Sequence, residues 1–108
     1  MIAMDVQQKI REQVTANPTV LYMKGTPQFP QCGFSGAVIQ ILKACGLSNP
    51  VTVDVLADPE IREGIKSYAN WPTIPQLYIN GEFVGGSDII REMFEQGELQ
   101  KLLQTAQA

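Results

Sequence analysis

Gln76-Leu77-Tyr78-Ile79, then Asn80-Gly81, then Glu82-Phe83-Val84-Gly85 is the stretch on which the fold turns. Asn-Gly between two strand-like runs predicts a two-residue type I′ hairpin, because both residues tolerate the positive φ angles that turn requires. Immediately upstream, Trp71-Pro72-Thr73-Ile74-Pro75 is extended or turned, since each proline biases the residue before it away from helix. Before that, Asp58-Pro59-Glu60 predicts a helix start: a cap, proline at N1 and an acid in the first turn. Ile61, Ile65 and Tyr68 form the apolar face of that helix. Downstream, Gly86-Ser87-Asp88 opens a helix carrying Ile89, Ile90, Met93 and Phe94, broken at Gly97. A last helix carries Leu99, Leu102 and Leu103.

The first half supplies the rest of a sheet. Asp5 with Gln8 three residues on has capping-box spacing, and Val6, Ile10 and Val14 then recur at helical intervals up to Asn17-Pro18. Thr19-Val20-Leu21-Tyr22-Met23 is a short apolar run rich in β-branched and aromatic residues, which predicts a buried central strand. Gly25 to Gln31, with a glycine and two prolines, is a loop. A helix follows from about Gly33 to Ala44, with Phe34, Val38, Ile41, Leu42 and Cys45 on one face and Gly46 as its stop. Val51-Thr52-Val53-Asp54-Val55 alternates as a strand does. The order αβαβαββαα joins the first two strands through a helix, so they run parallel by a right-handed crossover. The class is α/β: a four-stranded mixed sheet with helices on both faces.

Composition narrows the chemistry. The 108 residues, 44% apolar, predict one domain over residues 1–108. The net charge of −3 and scattered Lys and Arg argue against nucleic acid, which needs a clustered positive face. No apolar run is long enough to span a membrane, and Met1–Gln8 lacks a signal-peptide core, so the expected location is cytoplasmic. The absence of histidine removes Ser-His-Asp and Cys-His catalysis and every His-ligated metal site. Two cysteines cannot build a four-cysteine metal site within one chain.

Those cysteines read differently. Cys32 sits where a loop becomes a helix, facing unpaired N–H groups and the positive end of the helix dipole. Both favour the thiolate. Lys24 adds positive charge if the loop folds back, and Ser35 can donate a hydroxyl proton to the sulfur. Cys45 completes the apolar stripe and reads as a small buried hydrophobe, the alternative being a resolving thiol. The thirteen residues from Cys32 to Cys45 place them roughly 20 Å apart along a helix, and a disulfide needs Cα atoms within about 7 Å. Cys32-Gly33-Phe34-Ser35 is thus a one-thiol version of a redox C-x-x-C, and serine cannot resolve a mixed disulfide.

Lys24, Cys32-Gly33-Phe34-Ser35, Trp71-Pro72-Thr73-Ile74-Pro75 and Gly85-Gly86-Ser87-Asp88, in this order, resemble a single-domain monothiol glutaredoxin of the CGFS class. The resemblance runs from about residue 5 to 104. It implies a thioredoxin-like fold, with Pro75 cis and placed against Cys32. It implies glutathione as ligand, with Lys24 and Arg62 on its glycine carboxylate and Ile74 pairing main chain to main chain with its cysteine. Ser87 and Asp88 would take the γ-glutamyl carboxylate and ammonium. Trp71 is either a binding platform or packing; Tyr22 and Phe34 are either core or site rim.

Three departures from the family pattern stand out. Ser87 occupies a position where many relatives carry cysteine, and Ile74 one where many carry valine. The Gly25–Gln31 loop is longer than the spacer of dithiol glutaredoxins, a lengthening that monothiol relatives share. It could shift Lys24 or glutathione relative to Cys32 and weaken thiol exchange.

Two functions follow from different classes. In the first, the chain binds and transfers a [2Fe–2S] cluster. Such a cluster takes four thiolates, a count that closes as a homodimer with two Cys32 and two glutathiones, or as a heterodimer in which a partner supplies other ligands. The resemblance adds BolA-type proteins as partners and apo-proteins as recipients. In the second, the chain is a glutathione-dependent monothiol oxidoreductase that removes glutathione from protein mixed disulfides.

Overall fold

The computed structural model describes residues 5–47 and 49–106. The elements are α1 (Val6–Ala16), β1 (Thr19–Met23), α2 (Gly33–Ala44), β2 (Val51–Asp54), α3 (Pro59–Ala69), β3 (Gln76–Ile79), β4 (Glu82–Gly85), α4 (Ser87–Glu95) and α5 (Glu98–Ala106). They form one mixed sheet in the order β2-β1-β3-β4. β1 runs parallel to β2 and antiparallel to β3, and β3 pairs antiparallel with β4. The predicted class and element order are those observed.

Burial explains the order. All five residues of β1 are buried, as a central strand covered on both faces requires. Alternate side chains go to opposite faces. Leu21 and Met23 join Leu77, Ile79, Val38, Leu42, Ile90 and Leu99 in one cluster, under α2, α4 and α5. Val20 and Tyr22 join Tyr78, Ile10, Val14, Ile61 and Ile65 in the other, under α1 and α3. Tyr22 and Tyr78 meet edge to face with centroids 5.6 Å apart. The Tyr22 hydroxyl donates to Gln13 Oε1 at 2.6 Å, so its burial leaves no orphan polar atom.

Local signals set the ends. Asp5 caps α1 by accepting the Gln8 N–H at 2.9 Å. Asp58 caps α3 by accepting the Ile61 N–H at 3.2 Å. Asn80 and Gly81 both have positive φ, 54° and 81°, as the type I′ turn demands. β2 stops one residue short of expectation, at Asp54. The Asp54 carboxylate there accepts the Leu56 N–H at 2.9 Å and turns the chain, while Val55 stays buried. α3 ends on Asn70 in the left-handed region (φ 51°), which the sequence reading missed. The Trp71 N–H then donates to Lys66 O at 3.0 Å, fixing where the next segment starts.

The face of α2 differs from expectation. Val38 and Leu42 are buried as predicted, but Phe34 is 61% exposed and Ser35 fully buried. The first turn projects past the end of β1, so its inward position meets polar main chain rather than apolar side chains. Ile39 is buried too, while Ile41 and Cys45 are only half-buried against the cluster.

α1 and α3 pack closely through Gly64. A Cβ there would lie 2.9 and 3.0 Å from two Val6 methyls and 3.3 Å from an Ile10 methyl. Overpacking of this kind costs about 1–3 kcal/mol, more than the helix propensity of about 1 kcal/mol regained on losing glycine. Gly64→Leu is therefore expected to lose roughly 2 kcal/mol of stability. The readout is a lower urea midpoint at unchanged slope; an unchanged midpoint would mean that α1 simply moves away.

Candidate functional site

Cys32 is the N-cap of α2, in extended conformation (φ −150°, ψ 133°), half-buried and unbonded to any other cysteine. Its sulfur lies where the first-turn N–H groups have no helical acceptor. The Ser35 N–H does most to hold the thiol below the ordinary cysteine value. Burial opposes this as the next largest influence, and the Phe34 N–H, the Ser35 hydroxyl and the Lys24 charge each add a smaller lowering effect. Cys45 behaves oppositely: burial raises its pKa. Of the two, Cys32 is the one whose surroundings favour the thiolate.

The loop before Cys32 is tied down at its base. The Gln31 N–H donates to Lys24 O at 2.9 Å, and Gly25 bridges to Pro30. Within the loop, Thr26 and Phe29 exchange main-chain hydrogen bonds of 3.3 and 3.1 Å. The Asp54 carboxylate accepts the Gly25 N–H at 2.9 Å. The buried Ser35 hydroxyl accepts the Lys24 N–H at 3.1 Å. Ser35 therefore does more than face the sulfur: it joins the end of β1 to the first turn of α2. By these bonds the longer loop folds back and returns Lys24 to Cys32.

A cleft of about 490 Å³ opens beside the sulfur. The sequence-derived residues Lys24, Cys32, Arg62, Ile74, Pro75, Ser87 and Asp88 all line it. They come from the end of β1, the start of α2, α3, the segment before β3 and the start of α4. The Ile74-Pro75 peptide bond is cis, as expected. Phe34 also lines the cleft, which makes it rim; Tyr22 is fully buried, which makes it core. Trp71 packs on Phe83 with centroids 5.8 Å apart and does not line the cleft. Gly86 permits this arrangement, since a Cβ there would lie 3.2 Å from Trp71 Nε1 and 3.5 Å from Pro75 O.

The sequence reading did not assign three of the lining residues, Lys66, Pro72 and Thr73, to the site. Lys66 is four residues from Arg62, hence on the same face of α3, a spacing that could have flagged it. Its Nζ lies 3.7 Å from the exposed Glu63 carboxylate. Nothing in the pattern flags Thr73.

Chemically, the cleft offers one activated thiol, three cations (Lys24, Arg62 and Lys66) and one carboxylate, Asp88, at a helix N-terminus. Arg62 Nε is buried and has no partner, an unused donor. Such a cleft suits a small peptide-like molecule carrying a carboxylate at each end and an ammonium beside one of them. Among the described residues no cluster of three or more His, Cys, Asp or Glu could hold a metal ion. Also among them, no helix is long and apolar enough to cross a membrane.

The ranking of influences on Cys32 is testable by alkylation against pH in a Cys45→Ser background. Reactivity should reach half-maximum below the pH of an ordinary cysteine. Ser35→Ala should move that midpoint up, and Lys24→Ala should move it up by less. A larger shift in Lys24→Ala would put the lysine charge ahead of the Ser35 hydroxyl.

Residues 19–84 match the family model described as Glutaredoxin. The chain is 57% identical over 104 residues to a ycf64-like monothiol glutaredoxin of Synechocystis sp., covering 96% of each. It is 50% identical over 101 residues to Glutaredoxin 4 of Escherichia coli, covering 94% of this chain and 87% of that one. The solution structure of reduced apo GrxS14 from poplar matches with TM-score 0.79 and 47% identity, over 94% of this chain and 93% of that one. The fold is therefore thioredoxin-like. With Cys32 at the start of α2 and Ser35 where a dithiol pair would place its second sulfur, the chain belongs to the glutaredoxin family, on its monothiol branch.

Proposed function

We propose that the chain, one domain over residues 1–108, carries a [2Fe–2S] cluster with glutathione as co-ligand and hands it to apo-proteins. One observation carries the reading: the cleft presents a single activated thiol among groups suited to a zwitterionic peptide, and among the described residues no second sulfur lines it. A [2Fe–2S] cluster needs four thiolates. Two chains contribute Cys32 each, and two bound glutathiones contribute the others, so the loaded form is a homodimer bridged by its cargo. A BolA-type protein replaces one chain in the mixed complex. Co-ligands held without covalent bonds to the protein leave easily, which suits transfer.

Lys24 and Arg62 take the glycine carboxylate of glutathione, and the unpartnered Arg62 Nε gives that carboxylate a buried donor. The Ile74 main chain pairs with the cysteinyl residue of the ligand in β-fashion. The α4 N-terminus at Ser87 receives the γ-glutamyl carboxylate, and Asp88 its ammonium. Free thiols and abundant glutathione belong to a reducing compartment, which fits the cytoplasm.

The low-pKa thiol also favours a second activity. The Cys32 thiolate attacks the glutathione sulfur of a protein mixed disulfide, and the protein thiolate leaves. A second glutathione thiolate then attacks the Cys32–glutathione disulfide, releasing glutathione disulfide and the Cys32 thiolate.

Anaerobic reconstitution with iron and sulfide distinguishes the two. Colour that requires glutathione, in a dimer with one cluster per two chains, is expected. Cys32→Ser should abolish it and Cys45→Ser should not. A colourless monomer that turns over a glutathione mixed disulfide would overturn the carrier reading in favour of exchange. Asp88→Ala should weaken glutathione binding about tenfold, the loss of one charge-assisted contact. Unchanged affinity by calorimetry would remove Asp88 from the ligand's ammonium.

A further inference from the structure

Gln76 is the first residue of β3, directly after cis-Pro75, and it is fully buried. A buried side-chain amide is destabilising unless its donors and acceptor are matched. Here they are. Nε2 donates to Trp71 O at 3.1 Å and to Thr73 O at 3.2 Å. Oε1 accepts from the Tyr78 hydroxyl at 3.1 Å. Tyr78 itself is locked edge to face against Tyr22 in the core.

The two carbonyls that Gln76 holds belong to a segment with few other anchors. Trp71 to Pro75 pairs with no strand, and Pro72 and Pro75 have no N–H to donate. The same segment forms one wall of the cleft through Pro72, Thr73, Ile74 and Pro75. One buried amide thus grips the wall from behind at two points.

We propose that Gln76 is a positioning residue: its amide clamps the Trp71–Thr73 main chain to the core and so sets the wall against which the ligand lies. The role rests on the reading of the cleft as a glutathione site. The clamp reaches the wall and not the start of α2, so it governs ligand affinity and leaves the Cys32 thiol unchanged. Linkage makes the effect mutual: if the clamp favours the bound ligand, the bound ligand must strengthen the clamp.

The test uses Gln76→Met, which keeps the volume and removes both donors. Trp71 is the only tryptophan of the chain and reports on the clamped segment without any ligand. In the variant, Trp71 emission should become more accessible to acrylamide, and glutathione affinity by calorimetry should fall about tenfold. The pH midpoint of Cys32 alkylation should stay at the wild-type value, which a general loosening of the fold would not allow. A folded variant with wild-type affinity, or with wild-type Trp71 quenching, overturns the proposal.

Should Gln76→Met fail to fold, the wild-type protein still decides. Exchange of the Gln76 side-chain amide protons, followed by NMR, should slow on saturation with glutathione; unchanged exchange overturns the proposal. Absence of glutathione binding to the wild type would instead sink the reading of the cleft. The quenching arm would still report whether the clamp exists.

Discussion

The end of β1 is the point on which the rest of the site depends. Three polar contacts converge there: Ser35 Oγ on the Lys24 N–H at 3.1 Å, Gln31 N–H on Lys24 O at 2.9 Å, and Asp54 Oδ1 on the Gly25 N–H at 2.9 Å. They bind α2, the loop and β2 to the central strand. A strand end in a buried sheet must satisfy its main-chain groups somehow. Here the partners also fix where Cys32 and Lys24 stand, so one solution to a general folding requirement also aligns the reactive atoms.

The electrostatics of the thiol follow from that alignment. The first-turn N–H groups of Ser35 and Phe34 act on the sulfur from the start of α2. Lys24 acts through charge at a half-exposed position, where water screens it. The main-chain N–H of Ser35 accordingly outweighs the lysine in favouring the thiolate.

The wall of the cleft has a different origin. It lies outside the ladders and is proline-rich, so no strand pairing holds it. Its order comes from one side, where Asn70 in the left-handed region ends α3 and aims the chain, and from behind, where Gln76 matches two of its carbonyls. Close approach of the α4 start, permitted by Gly86, completes the enclosure. The wall and the thiol are thereby held in place by separate parts of the fold.

By itself the sequence determined the element order, the Asn80-Gly81 hairpin and the position of Cys32 at a helix start. Each is written in local chemistry: turn residues, caps and apolar period. The resemblance to a family also named Lys24, Arg62, Ile74, Ser87 and Asp88, which the fold brings into one cleft. Only the tertiary structure decided the rest. An apolar period cannot tell that the first turn of α2 overhangs the sheet, so Phe34 faces the cleft and Ser35 the interior. It cannot show that Lys66 and Thr73 join the same cleft, or that a strand glutamine holds a loop. Those facts depend on which distant main-chain groups need a partner, and that is settled when the elements pack, not before.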